Sequence, residues 1–232
     1  MNGRIETLAD PSALAERVAH WLLDLALAKA GRFSLCLSGG STPRLLYDRL
    51  GEAPFHDSFP WDRTHLFWGD ERFVPHADTD SNYRMAREAL LSHAPIPLSN
   101  IHPIPTEGLT PDDAARRYES ELRAFHAAAP ADPLFDVVLL GLGDDGHTAS
   151  LFPGTPALEE RARWVVSVIG AKPEPRITLT YPALASSRAI AFLVTGAGKR
   201  DILARARGGD RDLPAARVEG DVVWFADRAA NP

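Results

Sequence analysis

The sequence predicts an α/β fold with a mostly parallel sheet flanked by helices on both faces. Three observations predict this fold class. Short apolar runs alternate along the chain with segments whose apolar residues recur at helical spacing. The run 135–140 is apolar at all but one position, as expected for a strand buried inside a parallel sheet. Glycine-rich or charged loops directly follow several runs, as at the strand-to-helix turns of α/β folds.

The predicted elements follow one another in a regular order. The first helix begins at Pro11 with Asp10 as its cap, and Gly31 is its stop signal. Further helix starts are predicted at Pro43, Ser81 and Thr110. The predicted strands are 33–37, 65–68, 135–140, 164–168, 177–180, 190–194 and 222–225. Because no repeat or clear linker interrupts this order, we expect one domain over residues 1–232.

The composition narrows the class of protein. The 232 residues are 45% hydrophobic and 24% charged, which is ordinary for a globular protein. A net charge of −6 disfavours nucleic acid as a partner, because phosphate backbones attract basic surfaces. No run reaches the roughly 18 apolar residues of a membrane-spanning helix, so we expect no membrane partner. The single cysteine, Cys36, and the lack of a secretory signal pattern favour the cytoplasm.

The loop 38–43, which follows the first predicted strand, has the features of an anion site. Its glycines let backbone amides approach a ligand, and the next helix directs its free amides and positive dipole end to the same place. The alternative is a plain glycine turn in which Thr42 caps the helix. The candidate phosphate-binding residues are Ser38, Gly39, Gly40, Ser41 and Thr42.

A charged loop follows the predicted strand 65–68. Its Arg72 carries a guanidinium, which suits fork-like binding of phosphate or carboxylate. The alternative is a solvated turn in which Asp70 or Glu71 caps a neighbouring element. Arg72 is therefore a candidate for the functional site.

The segment 141–154 carries the sharpest chemical signal. It follows the clearest predicted strand and combines glycines, two aspartates and His147. Asp145 lies two residues before His147, so its carboxylate could orient and support the imidazole. A histidine is the natural general base near neutral pH. The alternative is a structural histidine, which is the commoner role of a lone histidine.

Two further cations lie near strand ends. Arg176 precedes the strand 177–180, and Lys199 stands at a helix start, where a positive charge opposes the helix dipole. An anion held between Lys199 and the positive end of the helix dipole would remove this conflict. The alternative interpretation is a lysine that is simply exposed to water. Together these cations and the loop 38–43 would give an acidic protein a local positive site.

Other hydrolase signatures are missing from the sequence. It has neither the Gly-x-Ser-x-Gly nucleophile motif nor the His-Glu-x-x-His zinc motif, and no cysteine pair. The remaining histidines are scattered without the spacing of metal ligands. We therefore expect a mechanism that uses no metal and no cofactor.

Taken together, these segments resemble the 6-phosphogluconolactonase family. The likeness spans about residues 33–203, in the family's order, and the segment around His147 is its most specific part. The matching segments are 38–43, 70–75 with 81–83, 141–154, 176–180 and 196–199.

The resemblance implies a Rossmann-like fold shared with glucosamine-6-phosphate deaminases and ribose-5-phosphate isomerases. It implies hydrolysis of a phosphorylated sugar lactone, 6-phospho-D-glucono-1,5-lactone, to 6-phosphogluconate in the pentose phosphate pathway. It further implies that His147 is the catalytic base and that Arg72, Arg176 and Lys199 contact the substrate. Asp145 would support the base. Arg72 or backbone amides of 141–146 would stabilise the developing oxyanion. We expect a monomer, with a weak homo-oligomer as the alternative.

Two other functions remain open at this point. The deaminase branch shares the aspartate–glycine–histidine segment, but its pattern has a glutamate five residues after the histidine, where this sequence has Phe152. A non-catalytic sugar-phosphate sensor could share the fold, since fold alone does not fix function. Such a sensor would usually carry a DNA-binding helix pair, for which we see no room here, and could lose its catalytic base.

Overall fold

The computed structural model describes residues 3–232, so the first two residues of the expected domain lie outside the description. In chain order the strands are β1 (Arg4–Leu8), β2 (Phe33–Leu37), β3 (Thr64–Trp68), β4 (Asp70–Arg72), β5 (Ile101–His102), β6 (Val137–Leu140), β7 (Val165–Val168), β8 (Arg176–Leu179), β9 (Ala189–Val194) and β10 (Val222–Asp227). The α-helices are α1 (Pro11–Ala28), α2 (Ser41–Leu50), α3 (Phe55–Ser58), α4 (Asn82–Ala86), α5 (Pro111–Ala127), α6 (Tyr181–Ala185) and α7 (Arg200–Arg207).

A seven-stranded sheet in the order β1-β10-β9-β6-β2-β3-β5 forms the centre of the molecule. Every neighbouring pair in it is parallel. Such a sheet needs helices on its faces, and its inner strands β2, β6 and β9 are buried along their whole length. The predicted parallel α/β architecture is confirmed.

The two faces of the sheet are covered by different helices. On one face Trp21 of α1 packs against Phe225 of β10, with ring centroids 5.4 Å apart. The strand register places Phe67 of β3 on the opposite face, where it contacts Phe125 of α5 at 4.8 Å. No helix in residues 3–232 is long and apolar enough to cross a bilayer.

A second, antiparallel sheet has the order β4-β8-β7. The sequence predicted strands at 164–168 and 177–180 but did not indicate that they leave the parallel sheet. The length of the segment between β7 and β8 explains why these two strands are antiparallel, because parallel neighbours need a crossover of about a dozen residues. Only residues 169–175 join β7 to β8, which suits a hairpin.

Three of the predicted helix starts follow the sequence signals, whereas α2 begins at Ser41 rather than Pro43, and three edge strands escaped prediction. Asp10, Ser81 and Thr110 each accept a hydrogen bond from a backbone N–H three residues later. Strand β1 mixes polar and apolar residues at one edge of the large sheet, and β5 has only two residues at the other. Strand β4, predicted as a charged loop, consists of three charged residues at the edge of the antiparallel sheet. None of these strands contains the continuous apolar run on which the prediction of buried strands depended.

Candidate active site

A cavity of about 370 Å³ opens at the carboxyl ends of β2, β6 and β9, and the antiparallel sheet forms its opposite wall. The carboxyl edge is where ligands bind in open parallel sheets. Asp145 alone among the predicted site residues is not part of its lining; it lies behind His147. The predicted residues that line the cavity are Ser38, Gly39, Gly40, Ser41, Thr42, Arg72, His147, Arg176 and Lys199.

Two buried tyrosines fix the strand ends from which the site loops leave. The hydroxyl of Tyr47 accepts from the Ser38 N–H at 2.9 Å and donates to the Ser38 carbonyl at 2.8 Å. Tyr118 makes the same two bonds to Trp68 at the end of β3, at 2.9 and 3.0 Å. Each tyrosine satisfies both backbone groups of one residue, so the strand can end there without unpaired buried polar atoms.

The loop 38–43 turns sharply into α2. Gly40 has a φ of +108°, a conformation that side chains rarely adopt, and it stands at the N-cap position. Gly39 is pressed against Asn82, so that a Cβ at 39 would lie 2.0 Å from the Asn82 Oδ1. The amide of Asn82 donates to the Asp70 carbonyl at 2.9 Å. The loop is therefore held by close contact with the neighbouring strand connection.

The proposed alternative for Thr42 as a helix cap is wrong. Helix α2 starts at Ser41, and no side chain caps it. The Thr42 hydroxyl instead shares a 2.7 Å hydrogen bond with the Thr195 hydroxyl, which lies just beyond β9. The start of α2 thus presents its amides to the cavity without a competing side-chain acceptor.

The sequence left open whether Asp70 or Glu71 caps a neighbouring element, and Glu71 has this structural role. Its buried carboxylate accepts from the Arg72 N–H, the Ser81 hydroxyl and the N–H groups of Asn82 and Tyr83, at 2.7–3.0 Å. Burial raises the pKa of Glu71, and these four donors act in the opposite direction. The carboxylate ties the start of α4 to β4 and leaves the side chains of neighbouring residues free to face the cavity.

Arg72 and Arg176 occupy the same wall of the cavity. They are Cα partners in the β4–β8 pair, and both line the cavity. One guanidinium nitrogen of Arg72 donates to the Asp80 carbonyl at 2.6 Å. Burial, together with the charge of Arg72, lowers the pKa of Arg176. The Arg176 Nε is buried without a hydrogen-bond partner.

His147 is oriented by its own loop. The Nδ1 of its ring lies 2.5 Å from the Asp145 Oδ1, and the same oxygen accepts from the His147 backbone N–H at 3.0 Å. The ring lies against Gly143, where a Cβ would be 2.0 Å from Nδ1. Phe152 packs on the ring with centroids 4.6 Å apart. With Nδ1 engaged by Asp145, the other ring nitrogen is left for chemistry.

A distant segment supports the histidine loop. The Gly146 carbonyl accepts from the Ala215 N–H at 3.0 Å, and a Cβ at Gly146 would lie 2.7 Å from a methyl of Leu213. Ala149, two residues after His147, has a left-handed backbone with φ +47°. Such strain persists only where the surroundings hold the chain firmly, and it is frequent at functional sites.

Lys199 pairs with a carboxylate in this structure. Its ammonium contacts the exposed Asp144, and this hydrogen bond lowers the pKa of Asp144. Lys199 stands directly before α7, as predicted, and still lines the cavity. An anion in the cavity would therefore compete with Asp144 for the ammonium.

Five lining residues with polar side chains were not proposed as site residues from the sequence. Lys172 lies in the turn between β7 and β8 and approaches the Phe152 ring at 5.1 Å. That turn has no recognisable motif, and only the hairpin brings it to the cavity, so no sequence signal could have found Lys172. The five lining residues are Asp70, Asn82, Ser150, Lys172 and Thr195.

Within residues 3–232, no group of three or more histidine, cysteine or acidic side chains is arranged to hold a metal ion. The charged side chains that line the cavity are mostly cationic, which suits an anionic ligand better than a cation. A polar lining with one histidine beside a carboxylate is typical of sites for acid–base chemistry.

The fold and this site define a parallel α/β protein with a cation-lined cavity at the carboxyl edge of its sheet. The chain belongs to the family of glucosamine-6-phosphate isomerases and 6-phosphogluconolactonases, whose family model matches residues 9–224. The family resemblance found in the sequence is thereby confirmed.

Individual relatives agree with this assignment. A 6-phosphogluconolactonase of Nostoc sp. is 42% identical over 240 aligned residues, which cover 100% of this chain and 98% of the relative. The corresponding protein of Synechocystis sp. is 40% identical with the same coverage. The crystal structure of 6-phosphogluconolactonase from Thermotoga maritima superposes with a TM-score of 0.84 at 34% identity, covering 97% of this chain and 100% of that one.

Proposed function

We propose that the protein hydrolyses 6-phospho-D-glucono-1,5-lactone to 6-phosphogluconate, the second step of the oxidative pentose phosphate pathway. The observation that carries the proposal is the pairing of His147 with Asp145 beside a cavity wall formed by Arg72 and Arg176. An oriented general base and an anion-binding wall are the two parts that such a reaction requires. The family relationship and the names of the close relatives support the same substrate.

The phosphate docks at the loop 38–43 and the start of α2. Free helix amides and the positive dipole end favour an anion there, and Lys199 and Arg176 supply charge. The unpartnered Nε of Arg176 gains a hydrogen bond when an anion arrives. Docking a remote charge fixes the ring in the cavity and so contributes to the rate by orientation.

His147 then acts as the base for hydrolysis. Its free ring nitrogen takes a proton from water while the water oxygen attacks the lactone carbonyl carbon, C1. The carbonyl oxygen becomes an oxyanion. Collapse of this intermediate breaks the bond between C1 and the ring oxygen, and the imidazolium returns the proton to that oxygen. Asp145 stabilises the positive imidazolium between the two transfers.

Arg72 is the stronger candidate for holding the oxyanion. The alternative donors were backbone amides of 141–146, but two of them are already used inside the loop. Gly143 N–H donates to the His147 carbonyl at 2.8 Å, and Gly146 N–H donates to the Gly143 carbonyl at 3.0 Å. Arg72 has guanidinium nitrogens to spare after its bond to Asp80.

The proposed catalytic unit is one domain of one chain. The residues named in the mechanism line or support one cavity. We further propose a monomer as the active form and a mechanism that uses neither metal nor cofactor. Size-exclusion chromatography of the active protein, with assays after chelator treatment, tests both points.

The decisive experiment generates the lactone in situ from glucose-6-phosphate with its dehydrogenase and follows 6-phosphogluconate. Wild-type protein should accelerate ring opening far above the spontaneous rate. His147→Ala should lower kcat by about 100- to 10,000-fold, because a positioned base is lost. His20→Ala, on the exposed surface of α1, serves as the control and should keep full activity. Retention of more than about a tenth of kcat in His147→Ala would contradict the assignment of the base.

The deaminase alternative loses support from the structure. Phe152 occupies the position at which the deaminase pattern has glutamate, and its ring packs directly on His147. An apolar ring cannot take part in a proton relay for sugar-ring opening. Incubation with glucosamine-6-phosphate should therefore release no ammonia above the blank.

A further inference from the structure

The cavity wall contains one carboxylate among several cations. Of the described residues that line it, Arg72, Lys172, Arg176 and Lys199 are cationic, and Asp70 is the acidic one. A phosphate group needs only the cations, because it accepts hydrogen bonds and carries negative charge. A carboxylate in the same cavity repels phosphate. We therefore expect the carboxylate to contact a part of the ligand other than the phosphate.

Strand alternation aims Asp70 at the cavity. In β4 the side chains of Asp70 and Arg72 share one face, and that of Glu71 points to α4. The two cavity-facing residues are separated by two positions along the strand, or roughly 7 Å. Asp70 is 8% exposed, so the protein holds this carboxylate in a fixed place rather than in bulk water.

One oxygen of this carboxylate is occupied and the other is available. The Ser150 hydroxyl donates to the Asp70 Oδ2 at 2.7 Å. Ser150 is itself fixed, because its N–H donates at 3.1 Å to the hydroxyl of Thr178, the cross-strand partner of Asp70. No residue in the described part of the chain donates to the Oδ1, which leaves that oxygen as an acceptor beside the cavity.

We propose that Asp70 is a specificity-determining residue whose free oxygen accepts a hydrogen bond from a ring hydroxyl of the substrate. This inference rests on the proposed function and names the part of the substrate that is not phosphate. Hydroxyl groups donate to a carboxylate, whereas phosphate oxygens and the lactone carbonyl do not. The Asp70 carboxylate therefore distinguishes a polyhydroxylated ring from a phosphorylated lactone that lacks the hydroxyl.

A role limited to charge balance is the alternative. The negative charge of Asp70 raises the pKa of Arg176, so Asp70 could merely offset the positive charge of the two paired arginines. A carboxylate that only balances charge does not distinguish substrates by their hydroxyls. Discrimination between hydroxylated and deoxygenated lactones therefore separates the two roles.

The experiment combines two enzymes with four substrates. Wild type and Asp70→Asn are assayed on 6-phosphogluconolactone and on its 2-deoxy, 3-deoxy and 4-deoxy analogues, and kcat/KM is compared. For wild type, at least one analogue should be poorer by roughly 10- to 100-fold, because a hydrogen bond to a charged acceptor is lost. In Asp70→Asn this ratio should shrink to within about threefold, since the acceptor is neutral.

The outcomes separate this inference from the proposed function. No activity of wild type on the parent lactone overturns the proposed function and this inference with it. If wild type has the same kcat/KM on all three deoxy analogues as on the parent lactone, the inference alone is overturned, even if Asp70→Asn fails to fold. An undiminished ratio in a folded Asp70→Asn protein also overturns it, because Asp70 would then only balance charge.

Discussion

Arg72 and Arg176 face one another as Cα partners across two antiparallel strands and border the same cavity. Like charges directly opposite each other destabilise a sheet unless something neutralises them. Here burial and the charge of Arg72 lower the pKa of Arg176, and the Arg176 Nε has no partner. Glu174 offsets part of this repulsion through an ion pair with Arg176 at 3.5 Å, and we expect a bound anion to offset more of it.

Phosphate or 6-phosphogluconate should therefore raise the thermal midpoint of the protein. At a concentration 100 times Kd, a ligand stabilises by about 2.7 kcal/mol, which for this chain length is roughly 5–10 °C. Arg176→Met should lose most of this ligand-induced shift. Equal shifts for both proteins would show that Arg176 lies outside the anion site.

Gly143→Ala should inactivate the protein without unfolding it. The added Cβ would lie 2.0 Å from the Nδ1 and 2.2 Å from the Cε1 of His147, so the ring must leave its place beside Asp145. We expect kcat to fall by about 100-fold or more, as for loss of a positioned base. Gly198→Ala is the matched control, because a Cβ there meets nothing within 4 Å. Normal kcat in Gly143→Ala would mean that the imidazole need not hold this position.

Asp145→Asn should lower kcat by one to several orders of magnitude, because the imidazolium loses its anionic partner. Burial raises the pKa of Asp145, but hydrogen bonds from the backbone and ring of His147 more than offset it, and the pKa is lowered overall. The carboxylate therefore contributes stability above its unfolded pKa of about 3.9, and this is lost as the pH falls through the folded pKa.

The pH dependence gives this variant a second measurement. Wild type should be more stable than Asp145→Asn at pH 6–8, and the difference in thermal midpoint should shrink below about pH 4. Asp24→Asn, which changes an exposed carboxylate on α1, controls for the loss of one charge. A difference that stays constant down to pH 3 would contradict the proposed hydrogen bonding of Asp145.

Tyr47→Phe should weaken substrate binding as well as stability. It leaves the N–H and the carbonyl of Ser38 unpaired, at about 1–3 kcal/mol for each buried group. Because Ser38 starts the loop 38–43, for which we propose phosphate binding, KM should rise while kcat changes less. Tyr181→Phe removes a single bond to the Pro214 carbonyl away from the cavity and should leave KM unchanged. An unaltered KM in Tyr47→Phe would separate this tyrosine from the binding loop.

Local signals in the sequence predicted most of the fold. The caps Asp10, Ser81 and Thr110 act within three residues, and the buried strands are runs of apolar side chains, so both can be recognised from neighbours in the chain. The antiparallel sheet could not be foreseen in this way. Its existence depends on which strands pair, and pairing joins residues more than a hundred positions apart, such as Arg72 and Arg176.

The same distinction applies to the site. Asp145 and His147 lie two residues apart, so their contact follows from a single turn of the chain. The bond between Ser150 and Asp70 joins residues 80 positions apart, and nothing in either segment indicates the other. Lys199 was expected beside an anion, whereas in the structure it contacts Asp144, a partner from a loop distant in sequence.

The residues of the cavity come from two different sheets, and this has an evolutionary consequence. His147 and its carboxylate follow a strand of the parallel sheet, whereas the arginine pair belongs to the small antiparallel sheet. Substitutions in one sheet can alter which molecules are accepted without rebuilding the apparatus that moves the proton. A lineage that inherits this architecture can therefore exchange substrates and reactions separately, by changes confined to one half of the cavity at a time.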